Sequence, residues 1–155
     1  MISDSLMKGV YLFADLSADE RGRLARIVVP MKLPAGFQIF RAGEEATALY
    51  LIKDGSVRIA TFSPSGARIE VATLASGSHF GEMALIDGAQ RSASAETLEP
   101  TAIFRFDYDK IQALLDSSPP TASRFYRAVA RFLSNRLRQT TTDMSFAREK
   151  NLRHF

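Results

Sequence analysis

Glu82 and Arg91 stand nine positions apart in the stretch from Gly77 to Ala95, and the residues around them could hold a small anion that also carries hydroxyl groups. Phe80-Gly81-Glu82 leaves strand chemistry for about one helical turn, because Met83, Ala84 and Leu85 are good helix formers. Gly88 stands where a glycine often closes a helix. The first amides of such a turn have no intrahelical partner and attract an anion. Gly81 has no side chain, so a ligand could approach its backbone closely. The Glu82 carboxylate accepts hydrogen bonds from hydroxyls, and the planar guanidinium of Arg91 suits bidentate contact with phosphate. Ser92 adds a hydroxyl beside it. Together these groups suit a molecule with one phosphate charge and one free sugar hydroxyl.

The run Phe80-Gly81-Glu82-Met83-Ala84-Leu85, five intervening residues and then Arg91-Ser92-Ala93 resembles the phosphate-binding cassette of the cyclic nucleotide-binding domain family. That family includes the catabolite activator protein, the regulatory subunits of cAMP-dependent kinase and cyclic nucleotide-gated channels. The resemblance extends over about residues 8–140. It implies an α+β fold, an antiparallel β-roll (a double-stranded β-helix, jelly-roll-like) flanked by N-terminal and C-terminal helices. By match to the motif, Glu82 takes the ribose 2′-hydroxyl and Arg91 the cyclic phosphate, while Gly81, Met83, Ala84 and Ser92 line the phosphate pocket. Val71 and Ala72 are candidates for the wall that meets the base, and a plain core position for Val71 stands beside that reading. Threonine at the position of Ser92 often goes with cGMP in the family, so cAMP is the expected ligand and cGMP the lesser one. A single methyl discriminates by only ~1–3 kcal/mol, so cross-binding is expected.

Composition narrows the alternatives. A chain of 155 residues suits one domain with a sizeable core. It has no cysteine, so disulfides, thiolate metal sites and cysteine nucleophiles are excluded. Met1 to Leu16 holds one lysine and no continuous apolar core, unlike a secretory signal. No apolar run approaches the ~20 residues of a membrane helix; no membrane contact and a cytoplasmic location are expected. The net charge of +3 does not by itself argue for nucleic acid. The only histidines are His79 and His154, too few for the three-histidine metal site of an enzyme on a similar roll. No serine–histidine–acid arrangement or paired-carboxylate signature stands out, so a ligand sensor without catalytic residues, metal or further cofactor is expected. A catabolite-activator-type regulator adds a helix-turn-helix after its long helix. About fifteen residues follow Gln139, too few for one, so no DNA binding is expected within this chain, and Met1 reads as an intact N-terminus. The alternative is a ligand-free interaction or dimerisation scaffold of the same fold.

Four segments must position the cassette. Residues 1–30 read as helical, weakly so around Leu6, Met7, Val10, Tyr11 and Phe13. Ser17-Ala18-Asp19-Glu20 is a capping box, starting a helix that turns Leu24, Ile27 and Val28 inward and stops before Pro30. Residues 31–106 read as the roll, with the cassette at 80–93. Asp54-Gly55 between two apolar runs predicts a hairpin. Pro64-Ser65-Gly66 makes the next turn, and Ser92 to Thr97 is predicted to pair with Thr101 to Phe106 around Glu99-Pro100.

Residues 107–142 read as hinge and lid helices. Asp107 caps the first, which buries Tyr108, Ile111, Leu114 and Leu115; the second begins near Pro119 to Thr121. Ala122, Phe125, Tyr126, Val129, Phe132, Leu133 and Leu137 fill one face of it. Arg124, Arg127, Arg131 and Arg138 form a stripe opposite, either solvated or facing an acidic partner or nucleic acid. Arg136 falls on the apolar face, where an arginine seeks an anion, a π-face or a partner chain. In the resembling family this helix closes over the base and, in dimers, packs on its twin. Arg136 is therefore a candidate for a ligand lid or for a homodimer seam along 121–139, with a snorkelling arginine as the third option. Thr140-Thr141-Thr142 weakens the helix, and 143–155 is a tail, helical or mobile, with Arg148, Lys150, Arg153 and His154 at its basic end. A sensor of this kind needs a downstream protein, which nothing in the sequence identifies.

Overall fold

The computed structural model describes residues 2–152, so Arg153 and His154 of the basic end lie outside it. Helices α1 (Asp4–Gly9) and α2 (Ala18–Ile27) flank a 3-10 turn at Tyr11–Phe13. Ser3 Oγ accepts from the Leu6 amide and Ser17 Oγ from the Glu20 amide, both at 3.2 Å, satisfying first-turn donors. The capping box is half made. Glu20 does not turn back to its own helix; its carboxylate accepts from Arg124, far along the chain.

Eight strands follow: β1 (Val29–Leu33), β2 (Gln38–Phe40), β3 (Ala48–Asp54), β4 (Ser56–Phe62), β5 (Arg68–Ala75), β6 (His79–Phe80), β7 (Ser94–Thr97) and β8 (Thr101–Asp107). They form two four-stranded antiparallel sheets, ordered β1-β8-β3-β6 and β2-β7-β4-β5. The fold is the expected roll with helices on its flank.

Two predicted pairings are overturned. β3 and β4 do not form a hairpin across Asp54-Gly55, and β7 does not pair with β8; the members of each couple lie in different sheets. Asp-Gly supplies a positive φ to a hairpin or to a corner between sheets, so the local signal is the same. Gly55 has φ +104°, and a Cβ there would lie 2.8 Å from Thr101 Cα, because the β7–β8 corner packs against it. β3 shows why the corner wins. Ala48, Tyr50 and Ile52 point into the core between the sheets, while Leu49 and Leu51 point into a second core beneath the helices. A strand buried on both faces needs neighbours in the sheet that the helices cover. The hairpin that does form joins β4 and β5, closed by Ser63 N–H to Ala67 O at 2.8 Å.

The cassette contains α3 (Met83–Asp87), which Gly88 closes with φ +67° and its amide on Ala84 O at 2.9 Å. Helices α4 (Tyr108–Ser117) and α5 (Pro119–Leu152) follow, the latter running to the end of the described residues. α5 passes through Thr140-Thr141-Thr142 unbroken. Thr141, Thr142 and Ser145 donate their hydroxyls to Leu137, Arg138 and Thr141 carbonyls at 2.8, 3.0 and 3.0 Å, so their polar groups are satisfied inside the helix. Phe125, Ala128 and Val129 are buried, but Tyr126 and Leu137, expected inward, are exposed. From Ser134 to Leu152 every residue is exposed, so the apolar pattern outruns the surface that could bury it. Two arginines of the stripe face this chain's own N-terminal segment: Arg124 pairs with Glu20, and Arg131 with Asp15 at 2.6 Å.

Candidate functional site

The cassette bends away from β6 at Gly81, whose φ of +81° an L side chain rarely adopts. The bend and α3 wall a cavity of about 320 Å³ that opens between the cassette, β4, β5 and α5. All nine expected residues border it: Val71, Ala72, Gly81, Glu82, Met83, Ala84, Arg91, Ser92 and Arg136. Phe40, Ile59, Thr61 and Leu74 add further wall that the sequence reading missed.

Val71 and Ala72 are consecutive, and in a regular strand they would face opposite sides. A bulge removes the conflict. Ile59 pairs with Ala72 and Ala60 with Glu70, leaving Val71 as the extra residue. Val71 is 53% exposed, so it belongs to the cavity and not to the core.

Arg91 is buried, and its guanidinium is held on several sides. Nη1 donates to Gly81 O at 3.0 Å and to Tyr108 Oη at 3.1 Å; Nη2 donates to Ala48 O at 2.6 Å. The guanidinium carbon lies 4.0 Å from the centroid of the Phe40 ring. Nε has no hydrogen-bond partner. These contacts are to dipoles and a π-face; among the described residues Arg91 makes no ion pair. The space beside Gly81, expected to admit a ligand, is taken by this group: a Cβ on Gly81 would stand 2.8 Å from Nη1.

Tyr108 also reaches the Arg91 guanidinium, a role the sequence reading did not give it. Its position on α4 reads as core, yet its hydroxyl donates to Gly81 O while accepting from Arg91. Burial holds its phenol above the ordinary range, against the pull of the Arg91 charge. No sequence pattern marks this role, because it depends on α4 starting directly behind the cassette.

Glu82 is only 3% exposed and precedes α3 in helical backbone conformation, without capping it through its side chain. Its Oε2 lies 3.5 Å from His79 Nδ1. Met83 and Ser92 are exposed at the mouth. Arg136, also exposed, finds a π-face: its guanidinium carbon is 5.7 Å from the Phe132 ring centroid. The cavity therefore presents a buried cation without a counter-ion, a buried carboxylate acceptor and apolar walls. No helix of the described residues is long and apolar enough to cross a membrane. No cluster of potential metal ligands occurs among them.

A family model, the cyclic nucleotide-binding domain, matches residues 30–118. The chain is similar to the cyclic AMP receptor protein of Thermus thermophilus, 35% identical over 151 residues that cover 94% of this chain and 67% of that protein. It is similar to an uncharacterized NTE family protein of Mycobacterium tuberculosis, 32% identical over 82% of this chain; the match spans 21% of that protein's length. Its structure is similar to the regulatory domain of Toxoplasma gondii PKA solved with cAMP, with a TM-score of 0.73 at 26% identity, over 85% of this chain and 48% of that one.

Proposed function

The chain belongs to the cyclic nucleotide-binding domain family, and on that premise we propose that its cavity binds cAMP, with cGMP the weaker ligand, and that α5 reads out occupancy. The observation that carries this reading is Arg91. A buried guanidinium without an ion pair is costly unless something anionic joins it. Arg91 is held at the cavity by two carbonyls and a ring, and a cyclic phosphate would supply the missing charge. Glu82 borders the same cavity as an acceptor for the ribose hydroxyl. Val71, Ala72 and Leu74 offer the apolar surface that a purine needs. Arg136 brings α5 to the cavity, so a bound base gains or loses contacts as that helix moves. Such a difference in contact is the only source of a ligand-driven population shift.

The test is calorimetric titration of folded, nucleotide-free protein with cAMP and with cGMP, beside Arg91→Lys. The expected result is saturable binding, tighter for cAMP, and a loss of roughly tenfold or more in the variant, because an ammonium cannot reproduce the fork of a guanidinium. Absence of saturable heat with either nucleotide overturns the reading.

A further inference from the structure

His79 is a buried side chain that the nucleotide reading leaves unused. It is 7% exposed, and neither ring nitrogen has a hydrogen-bond partner. Burying an imidazole in this way is unfavourable unless its polar atoms are used. Its neighbour in β6, Phe80, points the other way and stacks on Tyr50 with ring centroids 5.3 Å apart. Alternation along the strand thus sends His79 toward the helices, and there it meets two groups. Nδ1 lies 3.5 Å from Glu82 Oε2, and the ring centroid lies 4.4 Å from that of Phe132 on α5. Phe132 in turn carries the Arg136 guanidinium.

We infer that His79 is a positioning residue for the Glu82 carboxylate and ties that carboxylate to Phe132 on α5. The inference rests on the nucleotide reading of the cavity. A proton on Nδ1 would face Oε2 across 3.5 Å, long for a hydrogen bond; closing that gap would make the bond, fix the carboxyl plane and leave Oε1 to accept from a ligand hydroxyl. Tilted at 54° against the Phe132 ring, the same imidazole relates the orientation of the acceptor to the place of α5. A shift of α5 that moves Phe132 moves His79, and with it the acceptor. A purely apolar residue at 79 would serve the packing and lose the first function.

Two measurements test this, and they fail separately. The first needs no nucleotide: imidazole nitrogen NMR of the whole chain, with His79 told from His154 by His154→Gln. The proton is expected on Nδ1 at neutral pH, and Glu82→Leu, which removes the acceptor, is expected to shift the tautomer balance toward Nε2. A proton on Nε2 in the wild type, or nitrogen shifts indifferent to Glu82→Leu, overturns the inference. The second compares cAMP with 2′-deoxy-cAMP by calorimetry. His79→Phe keeps an aromatic contact for Phe132 but cannot donate. It is expected to weaken cAMP roughly tenfold and the deoxy analogue less than about twofold. His79→Asn, whose amide nitrogen stands in for Nδ1, is expected to restore most of the loss. Equal losses for both ligands, or no rescue by asparagine, overturn the positioning role. If the wild type binds neither ligand, the nucleotide reading falls, while the NMR result still decides whether His79 and Glu82 are coupled.

Discussion

Gly81 and Arg91 share one space. The φ of +81° at Gly81 aims its carbonyl at Arg91 Nη1, 3.0 Å away, and a Cβ on Gly81 would stand 2.8 Å from that same nitrogen. The glycine therefore seats the arginine. Gly81→Ala is expected to destabilise the fold by about 1–2 kcal/mol through backbone conformation alone. It is also expected to weaken nucleotide binding beyond what the stability loss explains, because the guanidinium must move. Urea unfolding and calorimetric titration of the variant check the two parts.

Tyr108 holds the other side of that guanidinium. Tyr108→Phe removes a donor to Gly81 O and an acceptor for Arg91, with an expected loss of roughly 0.5–1.5 kcal/mol. It also makes a pH prediction. Burial raises the phenol's pKa in the folded chain, so its contribution is full below the unfolded value of about 10 and is lost as pH rises through the higher folded value. The stability difference between wild type and variant should be flat at neutral pH and shrink only in strong alkali. Unfolding free energies measured from pH 7 upward test this; a difference that already shrinks below about pH 9 contradicts it.

Glu20 and Arg124 join the N-terminal helices to α5 across the helical layer. Glu20 is buried and the Arg124 side chain is 41% exposed. Arg124→Ala strands the carboxylate, at an expected cost of roughly 1–2 kcal/mol, reduced from the fully buried case by solvent screening. Glu20→Gln should partly relieve the defect when added to Arg124→Ala. Denaturation of the single and double variants gives the coupling, and strict additivity would show that the pair does not interact.

Arg136 is exposed and touches little apart from the Phe132 ring and the cavity mouth. Arg136→Ala is expected to leave the unfolding midpoint within about 1 °C and to reduce cAMP affinity by roughly two- to fivefold, the scale of an exposed cation–π contact. Thermal unfolding and titration check both. Unchanged affinity together with a lower mass in solution would assign Arg136 to a seam between copies of the chain instead.

The cassette is legible along the chain alone. Gly81, Glu82, Arg91 and Ser92 are local in the chain, and their spacing depends on one turn of helix and a glycine cap, both short-range matters. The helical segments were legible for the same reason, since 3.6-residue periodicity and caps act within a few residues. Pairing was not. Asp54-Gly55 and Glu99-Pro100 carry turn chemistry that serves a hairpin or an inter-sheet corner equally well, and only the double burial of β3 decides between them. Nor could local pattern show that Val71 sits on a bulge, that Thr141 and Thr142 feed their hydroxyls back into α5, or that half the arginine stripe answers carboxylates from the N-terminal segment. Tyr108 reads as a core residue in one dimension, and His79 only as one histidine of two. Tertiary packing decided their roles, because hydrogen-bond partners and ring contacts join positions that are close in space and far apart in the chain.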